Sequence, residues 1–233
     1  NHFVCVYVNS SLHHMNTTTA SASASESASS TSHEAPATVL WSTKSTKQAM
    51  GRVVKAVEAI VNDKGFSDMK PIAAVFDIDE TLLLNHVDDE SDKFRKNPAV
   101  FDAVMKLKDM GVALFAVTAR SEDPAGHVYA EMQLEKLGYP KFEEIHMFPE
   151  AREVEGTASA FKQDARAMIN RTHNVVLNVG DQSSDMMLCP PAVPHAVESW
   201  CNKHFEKNRI YALAVHGDPA VLSIKLPNRY HVS

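Results

Sequence analysis

Apolar positions along the chain fall into two periods, one helical and one continuous. Met50, Val53, Val54, Val57, Ile60 and Val61 recur at helical spacing and Gly65 supplies a stop, the pattern of a helix with one face in a core. Ile72-Ala73-Ala74-Val75-Phe76 is a short unbroken apolar run of the sort found in a strand covered on both faces, and it ends at Asp77. Pro98 opens a second helix that carries Phe101, Val104 and Leu107 to Gly111. A second buried run over 112–117 ends at Thr118. Asp123-Pro124 reads as a cap and first helical residue for a helix that closes at Gly138, and Ile145 to Phe148 as a third strand. Phe161, Ala165, Met168 and Ile169 mark another helix, and 174–179 a further buried strand closed by Gly180-Asp181. Two later runs, 210–215 and 221–226, add candidate strands. Short buried strands alternating with helices predict an α/β fold, a doubly wound and mainly parallel sheet with helices on both faces.

Ahead of this region the pattern disappears. From Thr17 to Ser32 every residue is Ser, Thr or Ala apart from Glu26, so nothing large and apolar is available to bury. Residues 1–43 are read as a disordered Ser/Thr/Ala-rich tail, the remnant of a signal or stalk in which Phe3 to Val8 would be what is left of a signal peptide's apolar stretch, and 44–233 as one domain. The composition, 44% hydrophobic and 22% charged, suits an ordinary globular domain, and no apolar run approaches the ~20 residues a membrane span needs. A net charge of −6 lacks the basic footprint of a nucleic-acid partner. Cys5, Cys189 and Cys201 form no CxxC pair and no disulfide framework; Cys189 with Cys201 is the pair left open for a bridge in an oxidising compartment.

In sheets of this kind ligands bind where strands end, so the polar residues just after buried runs carry the candidate chemistry. Three runs deliver Asp77 and Asp79, then Thr118, then Asp181 and Asp185. Four carboxylates in one crevice repel one another unless a divalent cation sits among them, and an all-oxygen donor set favours Mg²⁺. Phosphoryl transfer needs such an arrangement, because metal and fixed cations offset the charge on the transferred group while a carboxylate attacks it. Asp77 and Asp79 stand two apart on what reads as an extended segment, so both side chains leave on one side. The first can act as nucleophile and the second as general acid and base. A phosphate also wants a hydroxyl and an ammonium, which Thr118 and Lys162 supply.

These motifs, in this order, resemble the haloacid dehalogenase-like superfamily. Phe76-Asp77-Ile78-Asp79-Glu80-Thr81-Leu82-Leu83, Thr118-x-Arg120-x-Glu122, Leu137-Gly138-Tyr139, Lys162 with Arg166, Gly180-Asp181-Gln182 with Asp185, and Lys225-Leu226-Pro227-Asn228 are similar to its plant-type acid phosphatase and vegetative storage protein branch, a subfamily IIIB-like group, over 44–233. The resemblance implies a Rossmann-like core and a magnesium-dependent acid phosphatase that hydrolyses small phosphomonoesters through an aspartyl-phosphate. It implies Asp77 as nucleophile and metal ligand, Asp79 as acid/base with its backbone carbonyl on the metal, and Asp181 and Asp185 as further ligands. Thr118 and Lys162 would hold the phosphoryl oxygens, with Arg120, Glu122 and Arg166 in support. The alternatives on the same fold are a storage or binding protein with little turnover, or a nucleotidase; retention of Asp77 favours catalysis. A secreted, vacuolar or periplasmic-type compartment follows from the resemblance and the tail, and a dimer is left open. Only a helix and the charged 86–96 loop lie between Asp79 and Thr118, and a helix and a strand between Thr118 and Lys162, so minimal or no cap domain is expected over the site. Asn85-His86-Val87 and Gln182-Ser183-Ser184 stand where the branch carries aromatic residues and a Trp, so its substrate contacts are not carried over, and 188–222 matches it poorly.

Overall fold

A computed structural model describes residues 3–7, 17–19, 43–63, 70–84, 94–149, 158–186, 211–215 and 221–226. Its strands are β1 (Phe3–Tyr7), β2 (Thr17–Thr19), β3 (Ile72–Phe76), β4 (Leu83–Leu84), β5 (Arg95–Lys96), β6 (Ala113–Glu122), β7 (Glu144–Pro149), β8 (Asn174–Gly180), β9 (Tyr211–Val215) and β10 (Val221–Lys225). The helices are α1 (Thr43–Val61), α2 (Pro98–Asp109), α3 (Pro124–Lys136) and α4 (Ala158–Thr172), with a 3-10 turn over Ser183–Asp185.

The main sheet has the order β2-β1-β9-β10-β8-β3-β6-β7. Strands β10, β8, β3, β6 and β7 run parallel, and β9, paired antiparallel to β10, begins an antiparallel extension. All residues of β3 are buried, as its unbroken apolar run requires of a strand with layers on both sides. Ala74, Phe76, Leu114, Ala116, Leu177 and Val179 pack on one face with Val53, Val54 and Val57 of α1 and Val100, Val104 and Leu107 of α2. On the other face Ala73, Val75, Phe115, Val117 and Val175 meet Ala165 and Ile169 of α4. Each large aliphatic side chain fully buried this way contributes roughly 1.5–3 kcal/mol, so the two clusters fix which helix covers which face. Helices α2 and α3 stop where the sequence predicts, because Gly111 and Gly138 take up φ of +78° and +82°, left-handed values that a Cβ disfavours.

The chain winds outward from β3 through β6 to β7 and then returns through α4 to β8, on the opposite side of β3. The strand order thus reverses between β3 and β8, and at such a switch point the carboxyl ends of the strands open into a crevice. Below that crevice the turn after β3 is tied down by Tyr139, whose buried hydroxyl donates to the Leu82 carbonyl at 2.7 Å, while the Asn97 amide donates to the same oxygen at 2.9 Å.

Three details depart from the sequence reading. The second buried run ends at Thr118 as read, but its strand does not: β6 continues to Glu122 through residues that are not buried, with its register against β7 broken between Thr118 and Ser121. Met168 belongs to α4 but not to its core face, being 56% exposed; Lys162, Ala165, Arg166 and Ile169 form the buried stripe instead. Within 1–43, Phe3–Tyr7 and Thr17–Thr19 are strands, β1 pairing antiparallel with β9 and with β2. The aromatic and β-branched residues of β1 suit a strand. Apart from Thr43, which opens α1, the rest of 1–43, Trp41 included, lies outside the described residues, as do His86, Cys189, Cys201 and most of 188–222.

Candidate active site

Asp77 caps the central strand. Its amide donates to the Val179 carbonyl of β8 at 2.9 Å, which pins the residue at the switch point, and it is only 3% exposed. Lys162, in the second turn of α4 and also 3% exposed, reaches across the β3 end. Its ammonium donates to Asp77 Oδ1 at 2.8 Å and to Asp185 Oδ1 at 2.6 Å. Asp181 directly follows β8, and Asp185 folds back over Gly180 in the 3-10 turn. That fold-back works only because Gly180 has no side chain, since a Cβ there would overlap the Cβ and carboxylate of Asp185. Both oxygens of Asp185 are engaged: Oδ2 accepts from the Gln182 amide at 3.0 Å, and Oδ1 also faces Arg166 at 3.4 Å. Arg166, 1% exposed, donates to the carbonyls of Lys162 and Ser184 at 2.9 Å each. It is therefore a buried strut between α4 and the Asp185 turn rather than part of a surface ion pair.

Carboxylate oxygens of Asp77, Asp181 and Asp185 all lie within 4.8 Å of one another, and all three residues are buried. Burial first, then the neighbouring Asp185 charge, pushes the Asp77 carboxyl up to about 7, against the opposing pull of Lys162. Asp181 is pushed up to about 8 by burial and by Asp77 and Asp185. Lys162 moves the other way from an isolated buried amine: burial favours its neutral form, but Asp77 and Asp185 outweigh that and raise its pKa. Lys162, Arg166 and Lys225 face these carboxylates, yet burial and the mutual repulsion of the carboxylates still raise Asp77 and Asp181. Three hard oxygen donors in one buried pocket fit a divalent cation of the magnesium or calcium type.

Asp79 sits at the rim. It follows the tight turn at Ile78 rather than lying on an extended segment, and its carboxylate is gripped by Arg120, Nε donating to Oδ2 at 2.8 Å and Nη2 to Oδ1 at 2.7 Å. Asp79 remains near enough to Asp77 for its charge to raise the Asp77 pKa further. Arg120 lies in the register break of β6, where the local bend re-aims a side chain that a regular strand would direct elsewhere. Thr118 precedes the break, fully buried, its Oγ1 accepting from the Arg120 amide at 3.3 Å. Glu122 is exposed at the end of β6. His127 and His146 lie on α3 and β7, each within ion-pair range of a glutamate.

Two further residues belong to the site, Lys225 from the last motif and Gln133 from none. Lys225, the last residue of β10, is buried beside Gly180; burial lowers its pKa while Asp181 and Asp185 pull it back up. A lysine that closes an apolar strand next to an acidic turn is the signal that marks it. Gln133, on α3, is 4% exposed and accepts from Arg120 Nη1 at 2.6 Å; a glutamine inside the apolar stripe of Ala130 and Leu134 is the corresponding signal.

A family model described as HAD superfamily, subfamily IIIB (acid phosphatase) matches residues 86–232, a span that takes in Thr118, Arg120, Lys162, Asp181 and Asp185 and begins just after Asp77 and Asp79. The chain belongs to that subfamily. Its fold is similar to the class C acid phosphatase from Bacillus anthracis, with 18% identity and a TM-score of 0.56 over 80% of this chain and 77% of that one. A structure of the Bacillus anthracis enzyme with tungstate bound is similar at 19% identity, with a TM-score of 0.50 over 80% of this chain and 79% of that one. No curated protein matches the chain. As a subfamily IIIB acid phosphatase the chain is a phosphoric monoester hydrolase, with a small phosphate ester as the substrate class. Among the described residues no helix is long and apolar enough to cross a membrane.

Proposed function

We propose that this acid phosphatase transfers the phosphoryl group of its substrate to Asp77 and then to water, with Mg²⁺ as the working metal. The observation that carries the reading is the buried Asp77 carboxylate at the end of the central strand, 2.8 Å from the Lys162 ammonium and clustered with Asp181 and Asp185. In the first step an Asp77 oxygen attacks phosphorus, the bond to the ester oxygen breaks, and Asp79 gives its proton to that leaving oxygen. In the second, water attacks the aspartyl-phosphate, Asp79 takes the proton back, and the bond between phosphorus and Asp77 breaks to release phosphate. Lys162 and the Thr118 hydroxyl hold the phosphoryl oxygens, and Lys162 also keeps Asp77 an anion before attack. Mg²⁺ held by Asp77, Asp181, Asp185 and the Asp79 carbonyl would supply positive charge against the phosphoryl oxygens. Within the subfamily, the resemblance of the Lys225-Leu226-Pro227-Asn228 segment and the first motif supports membership of the plant-type branch.

Phosphate release from a chromogenic ester tests it. The wild-type protein with Mg²⁺ is expected to turn over, to stop on chelation and to recover when Mg²⁺ is restored. Asp77→Asn is expected to lose at least about a thousandfold in kcat, the scale of losing a covalent nucleophile. Turnover that survives chelation, or an Asp77→Asn variant as fast as wild type, overturns the proposal.

A further inference from the structure

Asp79 stands on a turn with its side chain partly exposed, and Arg120 grips its carboxylate with two parallel bonds, a planar fork matched to a carboxylate. That fork leaves the third nitrogen over, and Nη1 donates to Gln133 Oε1 at 2.6 Å, so the guanidinium is held along both its edges. Gln133 occupies a position on α3 that an aliphatic side chain would fill without cost. It faces inward between the buried Ala130 and Leu134, and burying an amide there is unfavourable unless it is bonded. The bond it makes is to Arg120, whose other two nitrogens grip Asp79. The bend in β6 between Thr118 and Ser121 and the cap of α3 at Asp123 bring the two ends of this relay together.

We infer that Gln133 is a positioning residue for the reaction, holding Arg120 so that the Asp79 carboxylate is presented to the leaving oxygen and then to water. This rests on the reading of Asp79 as general acid and base. Gln133 touches neither phosphate nor metal cluster, so its removal should leave attack by Asp77 intact and weaken proton transfer. Dependence on the leaving group separates the two. A nitrophenyl ester leaves without a proton, whereas an alkyl ester needs one.

The experiment measures kcat/KM for a nitrophenyl phosphate and an alkyl phosphate in the full-length Mg²⁺-loaded protein, for wild type, Gln133→Met and Gln133→Glu. General acid catalysis supplies about 10²–10⁴-fold, and misaiming the acid forfeits part of it. Gln133→Met is expected to lose about tenfold on the alkyl ester and about twofold or less on the nitrophenyl ester. Gln133→Glu keeps an acceptor for Nη1 and is expected to restore most of the alkyl rate. Combining Gln133→Met with Arg120→Met is expected to add nothing to the Arg120→Met loss, a comparison that holds even where Gln133→Met alone lowers thermal stability. Equal losses on both esters, no loss on either, or additive losses in the double variant overturn the inference. Wild-type protein that hydrolyses neither ester instead overturns the reading of the site.

Discussion

Gly180 shows how narrowly the site is built at the level of one residue. Strand β8 ends there and Asp185 folds back over it, closely enough that any side chain would meet the Asp185 Cβ and carboxylate. Gly180→Ala must therefore move Asp185, and with it the oxygen that takes the Lys162 ammonium at 2.6 Å and the one that takes the Gln182 amide. Forcing an extra methyl into packed surroundings costs about 1–3 kcal/mol, and here the displaced atoms are charged and buried. The expected outcome is a lower denaturation midpoint in urea together with a fall of about tenfold or more in kcat, since a shift of Asp185 releases Lys162 from its place over Asp77. A Gly180→Ala protein with wild-type midpoint and rate would mean that the turn has room the geometry denies. Arg166 shows at the same scale how burial decides a residue's part. An arginine four residues after a lysine on a helix reads as a solvated pair, and only the fold reveals that both lie on the buried stripe with Ala165 and Ile169.

Elements carry the site because each ends at a controlled place. Helix α3 begins at the Asp123 cap, whose carboxylate accepts from the Gly126 amide at 2.7 Å, and it delivers Gln133 to Arg120 almost three turns later. Asp123→Ala removes that cap and is expected to cost about 1 kcal/mol, a fall of about 2–4 °C in Tm for a chain of this size, read by differential scanning calorimetry. An unchanged Tm would show that Pro124 and the packing of α3 hold the helix start unaided. The buried strands, the Pro and Asp helix starts and the glycine stops were legible in the sequence, because uniform burial and φ constraints write directly into composition. Asp77, Asp79, Asp181 and Asp185 were legible as residues that follow buried strands, Thr118 as the end of a buried run and Lys162 as a residue near a helix start. What was not legible depends on neighbours distant in the chain. The continuation of β6 past Thr118 passes through Ala119, Arg120, Ser121 and Glu122, mostly polar residues that look like a loop until β7 pairs with them. The turn at Ile78, which takes Asp79 off the extended path, and the burial of Lys225 beside β8 have the same origin.

At the scale of the whole molecule the carboxylate cluster makes stability a function of pH and metal together. Asp77 and Asp181 have folded-state values of about 7 and about 8, above the ordinary 3.8 they regain on unfolding. A carboxyl raised in this way keeps its proton in the folded protein over a range where the unfolded chain has lost it. Its contribution is therefore complete below about pH 4 and is withdrawn as pH rises through the folded value. Metal-free protein should consequently lose stability between about pH 5 and about pH 8 on account of these two groups. A cation bound by the same oxygens competes with those protons, so its affinity, and the stabilisation it confers by mass action, should grow across the same interval. Calorimetric midpoints taken at about pH 5 and about pH 8, in chelator and in saturating Mg²⁺, separate the two effects. The chelated midpoint is expected to fall by several degrees and the gain from Mg²⁺ to be larger at the higher pH, with Asp181→Asn, which cannot titrate, flattening both trends. A chelated midpoint that rises across the window, or a gain from Mg²⁺ that is the same at both ends, would mean that the cluster does not exchange protons for metal and that its charge is balanced from elsewhere in the fold.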